Sequence, residues 1–411
     1  MDAKKLNKFI APTMLLVLIA GMCLFPQSTM AEDEEFKVAF VLLWECGDNG
    51  WTAAACRGIQ EVKDYYLSQE QGGKLLEDQP NGYLIELPIE KRLRVNWVER
   101  AGDGPDSGRI IRDFAHRGYN LVFATTFGQM DFALEVAKEF PALAVEHCSG
   151  YKTSTNMNWY MARNEVSAYV AGYVAGLMGY HKVGTVATNP IPEVTRDIDA
   201  FTLGLQRGLR EAGHEDWASL PDLNTVVWLN SWRDPEGEVQ AAQTFVDGGY
   251  KLIRQMADTP DSAKTACDGG VPAVGYGMDV RQFGANCALV STTWRWGPYF
   301  IQRIEEVLAK SWEGNKTFYG GFAAGMVGLE GWGESVPEEV KAKALALVKD
   351  LTQKEIAARE ANQDVTTALG IFCGPISDQN GQTIIAAGHC WTDDDVLSQR
   401  VLVYGVKGQL P

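Results

Sequence analysis

Residues 36–43, with the sequence FKVAFVLL, are followed by the turn GDNG at residues 47–50 and by a helical pattern over residues 51–66. A continuous apolar run of this length is typical of a strand that is buried on both faces, as in a parallel sheet. Glycine and asparagine then favour a tight turn. The stretch therefore predicts a buried strand, a turn and a helix, which together begin a β-α-β unit.

The same alternation continues along the chain. In a first series we predict strands at residues 94–98, 121–126 and 142–147 and helices at residues 105–117 and 131–140. In a second series and the chain after it, we predict strands at residues 183–187, 226–229, 252–256, 273–276 and 289–293 and helices at residues 164–178, 193–209, 236–246, 261–266, 299–309 and 337–359. Two β-α-β series predict an α/β protein with two similar lobes, each a doubly wound parallel sheet.

Two segments depart from this alternation. Residues 68–91 are polar and contain glycines, so we expect an extended excursion from the first lobe. Asn380-Gly381 is a strong turn signal and predicts a hairpin in the tail of the chain.

Ligands of open α/β sheets bind beyond the carboxyl ends of the strands. That rule selects the loops at residues 44–51, 126–131, 147–151, 188–193, 230–235, 257–261, 276–279 and 293–297. These loops are rich in aromatic residues, which predict a stacking clamp for a flat ligand; core or hinge positions are the alternative for each of them. The aromatic candidates for ligand binding are Trp44, Trp51, Phe127, Trp232 and Trp294.

Polar residues in or near the same loops are candidates for hydrogen bonds to the ring nitrogens or exocyclic amines of a heterocycle. Asp258, which follows a buried strand, is the carboxylate best placed for this role, whereas Asp131 and Asp234 are expected to cap helices. The other candidates for ligand binding are Asp48, Asn49, Tyr151, Arg163, Asn230, Gly277 and Met278.

The first residues have the features of an export signal. Three lysines precede an apolar stretch at residues 14–25, which is shorter than the ~20 residues that span a bilayer. Thr29 and Ala31 are small residues at the −3 and −1 positions of a cleavage site after Ala31. We therefore expect residues 1–31 to be removed and the protein to be periplasmic. The alternatives are an uncleaved anchor helix and a lipid anchor at Cys23, although the methionine before Cys23 matches a lipoprotein signal poorly.

The net charge argues against two classes of partner. The chain has 37 basic and 53 acidic residues; without residues 1–31 these become 34 and 52, and the net charge changes from −16 to −18. Such an acidic surface repels phosphate groups, so we expect neither nucleic acid nor an anionic membrane surface as a partner.

Export would place the cysteines in an oxidising compartment, where disulfides form. Seven cysteines follow residue 31, so at least one thiol stays free. The pairs that we expect first, because they are neighbours in sequence, are Cys267 with Cys287 and Cys373 with Cys390. The sequence has no CxxC motif, five histidines and no HExxH spacing, so we expect no metal and no other cofactor.

Motifs of common enzyme classes are absent from the sequence. It contains no GxSxG elbow, no P-loop and no GxGxxG after the first strand. Glu45 and Cys46 could serve as base and nucleophile only beside a placed histidine, for which the sequence gives no indication. We therefore expect a binding protein and not an enzyme.

Several motifs resemble those of the basic membrane protein (BMP) family of ABC transporter solute-binding proteins, and in particular its purine-binding group. The sequence GDNGWT at residues 47–52 resembles the GDxGWT motif of that family. Further similar motifs follow in the same order across nearly the whole chain: ATTFGQMD (124–131), EH (146–147) with GYKT (150–153), PIPEV (190–194), WLNSW (228–232) with DP (234–235), WGPYF (296–300) and CGPI (373–376).

The resemblance implies a type I periplasmic-binding fold, in which two Rossmann-like lobes are joined by a hinge of three crossing strands. We expect lobe 1 at residues 36–152 and about 285–325, lobe 2 at residues 153–284 and about 326–370, and residues 371–411 as a tail packed on the lobes.

The resemblance also implies a purine ligand and, as partner, an ABC permease in the inner membrane. Trp51 stands where the family has an aromatic residue that stacks on the base. Asp258 lies in the second-lobe loop that helps to close the site. We expect the protein itself to be a monomer.

Three departures from the family pattern bear on the ligand. Many nucleoside-binding members have an aspartate on the ribose where this sequence has Gly277, so we favour a free base such as adenine. Trp44-Glu45-Cys46 replaces small residues or proline, which would shrink the pocket, although Glu45 could instead recruit a cation. The excursion at residues 68–91 is longer than expected and is either decoration or a contact surface.

The sequence thus predicts a periplasmic solute-binding protein that captures a purine by closure of its lobes. The alternatives are import of a purine nucleoside, a sensory module that presents its ligand to a receptor, and an exported nucleoside hydrolase.

Overall fold

The structure is a computed structural model that describes residues 35–410. The predicted export signal and Cys23 lie outside the described residues. The β-strands are β1 (Glu35–Val41), β2 (Lys74–Gln79), β3 (Gly82–Leu87), β4 (Lys91–Val98), β5 (Leu121–Ala124), β6 (Ala144–Cys148), β7 (Met157–Ala162), β8 (Val183–Ala187), β9 (Asn224–Trp228), β10 (Leu252–Met256), β11 (Ala273–Gly277), β12 (Ala288–Trp294), β13 (Thr317–Gly320), β14 (Val327–Glu330), β15 (Ile376–Ser377), β16 (Thr383–Ile385) and β17 (Val406–Lys407). The α-helices are α1 (Trp51–Leu67), α2 (Pro105–His116), α3 (Met130–Glu139), α4 (Asn164–Leu177), α5 (Pro192–Glu211), α6 (Glu215–Ala218), α7 (Pro235–Asp247), α8 (Asp261–Asp268), α9 (Gly297–Leu308), α10 (Glu338–Glu360), α11 (Val365–Leu369) and α12 (Asp393–Ser398).

The first lobe is built on an eight-stranded sheet in the order β13-β7-β6-β5-β1-β4-β3-β2. Strands β5, β6 and β7 are buried along their whole length. Both faces of β1 are covered, since its alternating side chains belong to two different hydrophobic clusters. This confirms the interpretation of the apolar runs as central parallel strands. The predicted excursion at residues 68–91 is a hairpin of β2 and β3 that extends one edge of the sheet.

The second lobe is built on a seven-stranded sheet in the order β14-β12-β11-β10-β8-β9-β17. Its central strands are parallel, and β14 is antiparallel to β12. Strand β17 of the tail pairs with β9 and completes the far edge. The predicted tail hairpin is present as β15 and β16, and Asp378 accepts hydrogen bonds from the backbone of its turn.

Three segments cross between the two sheets, after β7, after β12 and between β13 and β14. Backbone hydrogen bonds join these segments: Arg163 N donates to Gly320 O at 2.8 Å, and Arg295 N donates to Met326 O at 2.9 Å. The arrangement is the three-segment hinge that the family resemblance implies. The hydrogen bonds join the crossing segments into one narrow connection between the lobes.

Two of the predicted lobe boundaries do not match the sheets. Strand β7 pairs with β6 and so belongs to the first sheet, although residues 153–162 were expected in lobe 2. Strand β12 pairs with β11 and belongs to the second sheet, although residues 285–294 were expected in lobe 1. The corrected crossings lie at the ends of β7 and β12, where the chain leaves each sheet.

The two expected disulfides, Cys267–Cys287 and Cys373–Cys390, are confirmed. A third, Cys46–Cys56, was not predicted; it ties the loop after β1 to the second turn of α1. Among the described cysteines Cys148 is free and buried.

Candidate ligand-binding cleft

The loops at the carboxyl ends of the two sheets meet across a cleft. An ideal Cβ on Gly50, in the loop after β1, would lie 2.2 Å from the backbone oxygen of Asp258, in the loop after β10. The Asp258 amide also donates to the Trp232 carbonyl at 3.2 Å, within the second lobe. The lobes are therefore in backbone contact at this point, and the structure is a closed form.

Asp48 organises the GDNG turn and is not free to contact a ligand. Its carboxylate accepts hydrogen bonds from the amides of Gly50, Thr52 and Ala53 at 3.0, 3.0 and 2.8 Å. The amides of Thr52 and Ala53 belong to the first turn of α1, where backbone N–H groups have no partners within the helix. Asp48 is 1% exposed. The prediction of Asp48 as a ligand-binding residue is corrected to a role in holding the loop.

Asn49 and Asn230 lie at positions where the backbone conformation favours asparagine. Asn49 has φ 64° and Asn230 has φ 53°, a left-handed conformation that asparagine tolerates better than most residues. Turn geometry accounts for both residues without a ligand, and contact of their side chains with a ligand stays a prediction.

The Asp258 carboxylate is a polar group of the cleft that has no hydrogen-bond partner among the described residues. Asp258 is 8% exposed, and within residues 35–410 no donor or cation lies at bonding distance from its side chain. Its charged neighbours are all acidic: Asp48 from the first lobe and Glu193 and Glu238 from the second. Burial, with the repulsion of these neighbours, raises the pKa of the Asp258 carboxyl well above its usual range. A carboxyl group in this setting is a candidate for a hydrogen bond to a ligand.

Glu193, in the first turn of α5, faces the same cleft and was missed as a candidate. It interacts electrostatically with Asp258, with Tyr276 and with Cys148 of the first lobe. Glu193 is partly accessible to solvent although protein atoms surround it. This combination is expected of a side chain that lines an enclosed space. Burial raises the pKa of Glu193, and the nearby Arg196 opposes that shift. Its sequence signal was weak, because glutamate is common in the first turn of any helix.

Glu238 holds the loop that presents Asp258. Its buried carboxylate accepts hydrogen bonds from the Thr259 hydroxyl and from the amide and hydroxyl of Ser262. Burial raises the pKa of Glu238 to about 7, although these three donors oppose the shift. The residue lies in α7 and fixes the position of residues 258–262 relative to that helix.

A cluster of aromatic rings forms the hinge side of the cleft. The Trp51 ring lies 5.4 Å from the rings of both Trp294 and Trp296 in edge-to-face contact, and Tyr276 lies 5.9 Å from Trp294. The Trp51 indole N–H donates to the Thr125 carbonyl at 2.8 Å, so Trp51 can meet a ligand only through its ring. The Trp294 indole N–H is buried and has no partner among the described residues.

The other aromatic candidates lie at the mouth of the cleft and not in this cluster. Trp44, Phe127, Tyr151 and Trp232 are 42%, 50%, 69% and 38% exposed. Phe127 and Tyr151 are neighbours, with ring centroids 6.4 Å apart. The aromatic candidates therefore form two groups, an inner group at the hinge and an outer group on the rim, and a stacking clamp stays a prediction.

Gly277 leaves open space beside Trp294. Its φ is +81°, and an added Cβ would meet only Cδ1 of Trp294, at 3.8 Å. The space lies next to the unpartnered indole N–H of Trp294, since Cδ1 and Nε1 are bonded neighbours. The adjacent candidate Met278 is partly buried and packs against the core.

Arg163 is fully occupied by protein groups, so its prediction as a ligand-binding residue is wrong. It is 1% exposed, and its guanidinium donates to both Asp393 oxygens at 2.8 and 2.5 Å, to the Thr366 hydroxyl at 3.0 Å and to the Tyr319 carbonyl at 3.1 Å. The guanidinium also lies 3.9 Å from the centre of the Tyr319 ring. Arg163 thus ties the tail of the chain to the hinge.

Asp393→Asn should reduce the stability of the protein without weakening ligand binding. The variant leaves the buried Arg163 charge without its carboxylate, which we expect to lower the free energy of unfolding by about 2–3 kcal/mol. Urea unfolding and a binding titration measure the two quantities. A tenfold loss of affinity with unchanged stability would contradict this account and return Arg163 to the ligand site.

The motif EH at residues 146–147 is structural. Glu146 is fully buried and accepts hydrogen bonds from Asn158, Tyr299 and Trp312. Burial lowers the pKa of His147 to about 4, so its ring is neutral, and Nε2 lies 2.9 Å from the Thr126 carbonyl.

The two aspartates expected to cap helices behave differently. Asp234 caps α7 by accepting from the Gly237 amide at 3.0 Å, as predicted. Asp131 is no cap, because it lies inside α3 and pairs with Lys152 at 2.5 Å.

A groove of about 850 Å³ on the second lobe lies apart from the cleft. It is open to solvent, and no aromatic residue lines it. Within residues 35–410 there is also no cluster of three or more His, Cys, Asp or Glu side chains that could hold a metal ion. The cleft remains the best candidate for a functional site.

The fold and the cleft define a two-lobed solute-binding protein with the type I periplasmic-binding fold. The chain belongs to the Bmp family, described as PnrA-like ABC transporter substrate-binding proteins, whose family model matches residues 36–362. In the described part of the chain, no helix is both long and apolar enough to cross a membrane.

Two relatives are similar in sequence, and one solved structure is similar in fold. A purine-binding protein of Brucella abortus is 30% identical over 400 residues, 97% of this chain and 100% of that protein. A protein of Haloferax volcanii, named as an ABC transporter glucose-binding protein, is 31% identical over 327 residues, 79% of this chain and 74% of that protein. A solute-binding protein from Conexibacter woesei has a similar fold, with a TM-score of 0.58 and 21% identity over 77% of this chain and 96% of that one.

Proposed function

We propose that this protein is the periplasmic binding component of an ABC importer and captures a purine, with a free base such as adenine favoured over a nucleoside. The observation that carries this proposal is the unpaired Asp258 carboxyl group, buried in a closed cleft near a wall of aromatic rings. A purine offers a flat ring for that wall and polar atoms along its edges for Asp258.

The preference for a free base rests on Gly277. Glycine cannot accept hydrogen bonds from ribose hydroxyls through a side chain, and no other atom fills the space beside it within 4 Å except Trp294. The name of the Brucella relative supports a purine. The name of the Haloferax relative makes a sugar the competing ligand class.

Lobe closure supplies the mechanism of capture. A ligand that contacts both lobes stabilises the closed state by its higher affinity for that state. Each ring contact contributes about 0.5–1.5 kcal/mol beyond buried area. Two such contacts with a few hydrogen bonds are compatible with a micromolar Kd, roughly −8 kcal/mol. The closed monomer would then dock on a permease. The proposed role is therefore ligand binding, and catalysis is the competing hypothesis.

A thermal-shift panel tests the ligand class. We expect adenine, at about a hundredfold excess over its Kd, to raise the Tm of residues 32–411 by about 5 °C. Nucleosides should have a smaller effect and glucose none. Stabilisation by nucleosides alone would refute the argument from Gly277, and stabilisation by sugars alone would refute the purine assignment. Release of free base from adenosine during incubation would refute the non-enzymatic role.

A further inference from the structure

Among residues 35–410, no cation lies beside Asp258 to stabilise its charge in the closed cleft. Asp48 approaches from the loop after β1, Glu193 from α5 and Glu238 from α7, and all three are acidic. The carboxylate of Asp48 already accepts hydrogen bonds from three backbone amides. Arg196 and Asp197 face Glu193 and not Asp258.

The ionisation state of Asp258 decides which purine edge it can pair with. The edge of adenine presents an amino donor next to a ring-nitrogen acceptor. A carboxylic acid matches that edge, because it has one O–H donor and one acceptor oxygen side by side. The edge of guanine presents two N–H donors, which match an ionised carboxylate with its two acceptor oxygens.

We propose that Asp258 binds the base as a neutral carboxylic acid, donating one hydrogen bond to a ring nitrogen and accepting one from the amino group. The inference rests on the proposed function and names the ligand class as 6-aminopurines. In the open protein Asp258 is hydrated and ionised at neutral pH. Closure removes the water and leaves it among acidic groups, so one proton is taken from solvent for each adenine bound.

The coupled proton sets the direction of the pH dependence. The pKa of Asp258 is raised in the closed state, so binding is strongest below its ordinary pKa and is lost as the pH rises through the raised value. Between those two values the Kd for adenine should increase by about tenfold per pH unit. Guanine, which requires the ionised form, should not share this dependence.

Calorimetric titration of residues 32–411 with adenine, in two buffers of different ionisation enthalpy, counts the protons directly. We expect an uptake approaching one proton per adenine at a pH between the ordinary and the raised pKa of Asp258. Asp258→Asn keeps one hydrogen-bond donor and one acceptor on a side chain of the same shape. It should therefore bind adenine within about threefold of the wild type at low pH, with no proton uptake and no pH dependence. Asp258→Ala should lose at least tenfold in affinity.

Two control variants separate Asp258 from other carboxyl groups. Asp268→Asn makes the same change of charge at an exposed position of the second lobe and should leave the proton count unchanged. Glu193→Gln should also keep the uptake, because the inference places the proton on Asp258 and not on Glu193. Loss of uptake in Glu193→Gln alone would place the proton on Glu193 and overturn the assignment.

The outcomes distinguish this inference from the proposed function. Adenine binding without proton uptake, together with a loss of more than tenfold in Asp258→Asn, would show an ionised Asp258 and refute the inference, while purine capture would stand. Binding of guanine in preference to adenine would refute it in the same way. Failure of every purine to bind would refute both.

Discussion

Gly50→Ala is expected to weaken ligand binding by about 100-fold while leaving the lobes folded. The added Cβ would lie 2.2 Å from the backbone oxygen and 2.8 Å from the carbonyl carbon of Asp258. No rotamer change relieves a clash with backbone, so the loops must separate. Overpacking of this kind costs about 1–3 kcal/mol, and about 1.4 kcal/mol corresponds to tenfold in affinity.

The clash exists only when the lobes are closed, because Gly50 and Asp258 belong to different lobes. The urea midpoint of the free protein should therefore stay close to that of the wild type. Gly47→Ala is the matched control: it lies in the same loop, and nothing is within 4 Å of its added Cβ. Equal losses of affinity in both variants would contradict closure at Gly50 and indicate a general effect on the loop.

Gly277→Asp is expected to reverse the preference between base and nucleoside, changing the ratio of their affinities by about 100-fold. The new carboxylate would occupy the open space beside Trp294 and could accept hydrogen bonds from ribose hydroxyls. Hydrogen bonds to a charged group contribute about 1.5–3 kcal/mol. The same carboxylate would weaken binding of the free base, because it places another negative charge in the cleft and has no ribose to bind.

Gly277→Asn provides the comparison for this second prediction. Asparagine and aspartate have the same shape, and both tolerate positive φ better than other side chains, so the backbone strain is matched. Titrations with adenine and adenosine measure the two affinities for each variant. If Gly277→Asp leaves the preference unchanged, the absence of a ribose-binding aspartate does not explain it, and the argument for a free base fails.

The strand and helix pattern could be predicted well because parallel strands buried on both faces are continuous apolar runs. Strands β8 and β10 have the bounds that the sequence indicates. Strand β7 was missed because its sequence, MNWYMA, contains a polar asparagine, which hydrogen-bonds Glu146. The lobe boundaries were displaced because sheet membership depends on pairing between distant segments, which the sequence pattern does not show.

The site was harder to predict than the fold, because residue type and loop position do not reveal hydrogen-bond partners. Asp48 and Asp258 look alike in sequence, each in a loop after a strand, but the first is satisfied by three amides and the second is unpaired. Arg163 follows the end of β7, and its partner Asp393 lies 230 residues away. Cys46–Cys56 was overlooked although its cysteines are only 10 residues apart, because sequence alone does not reveal which cysteines pair.

The central claim is that this cleft captures a purine base. Titration calorimetry of residues 32–411 with adenine, and separately with glucose, tests it most directly. We predict saturable binding of one adenine per chain with a Kd of about 1 μM or lower, and no heat of binding with glucose. Saturable binding of glucose with none of adenine would contradict the claim.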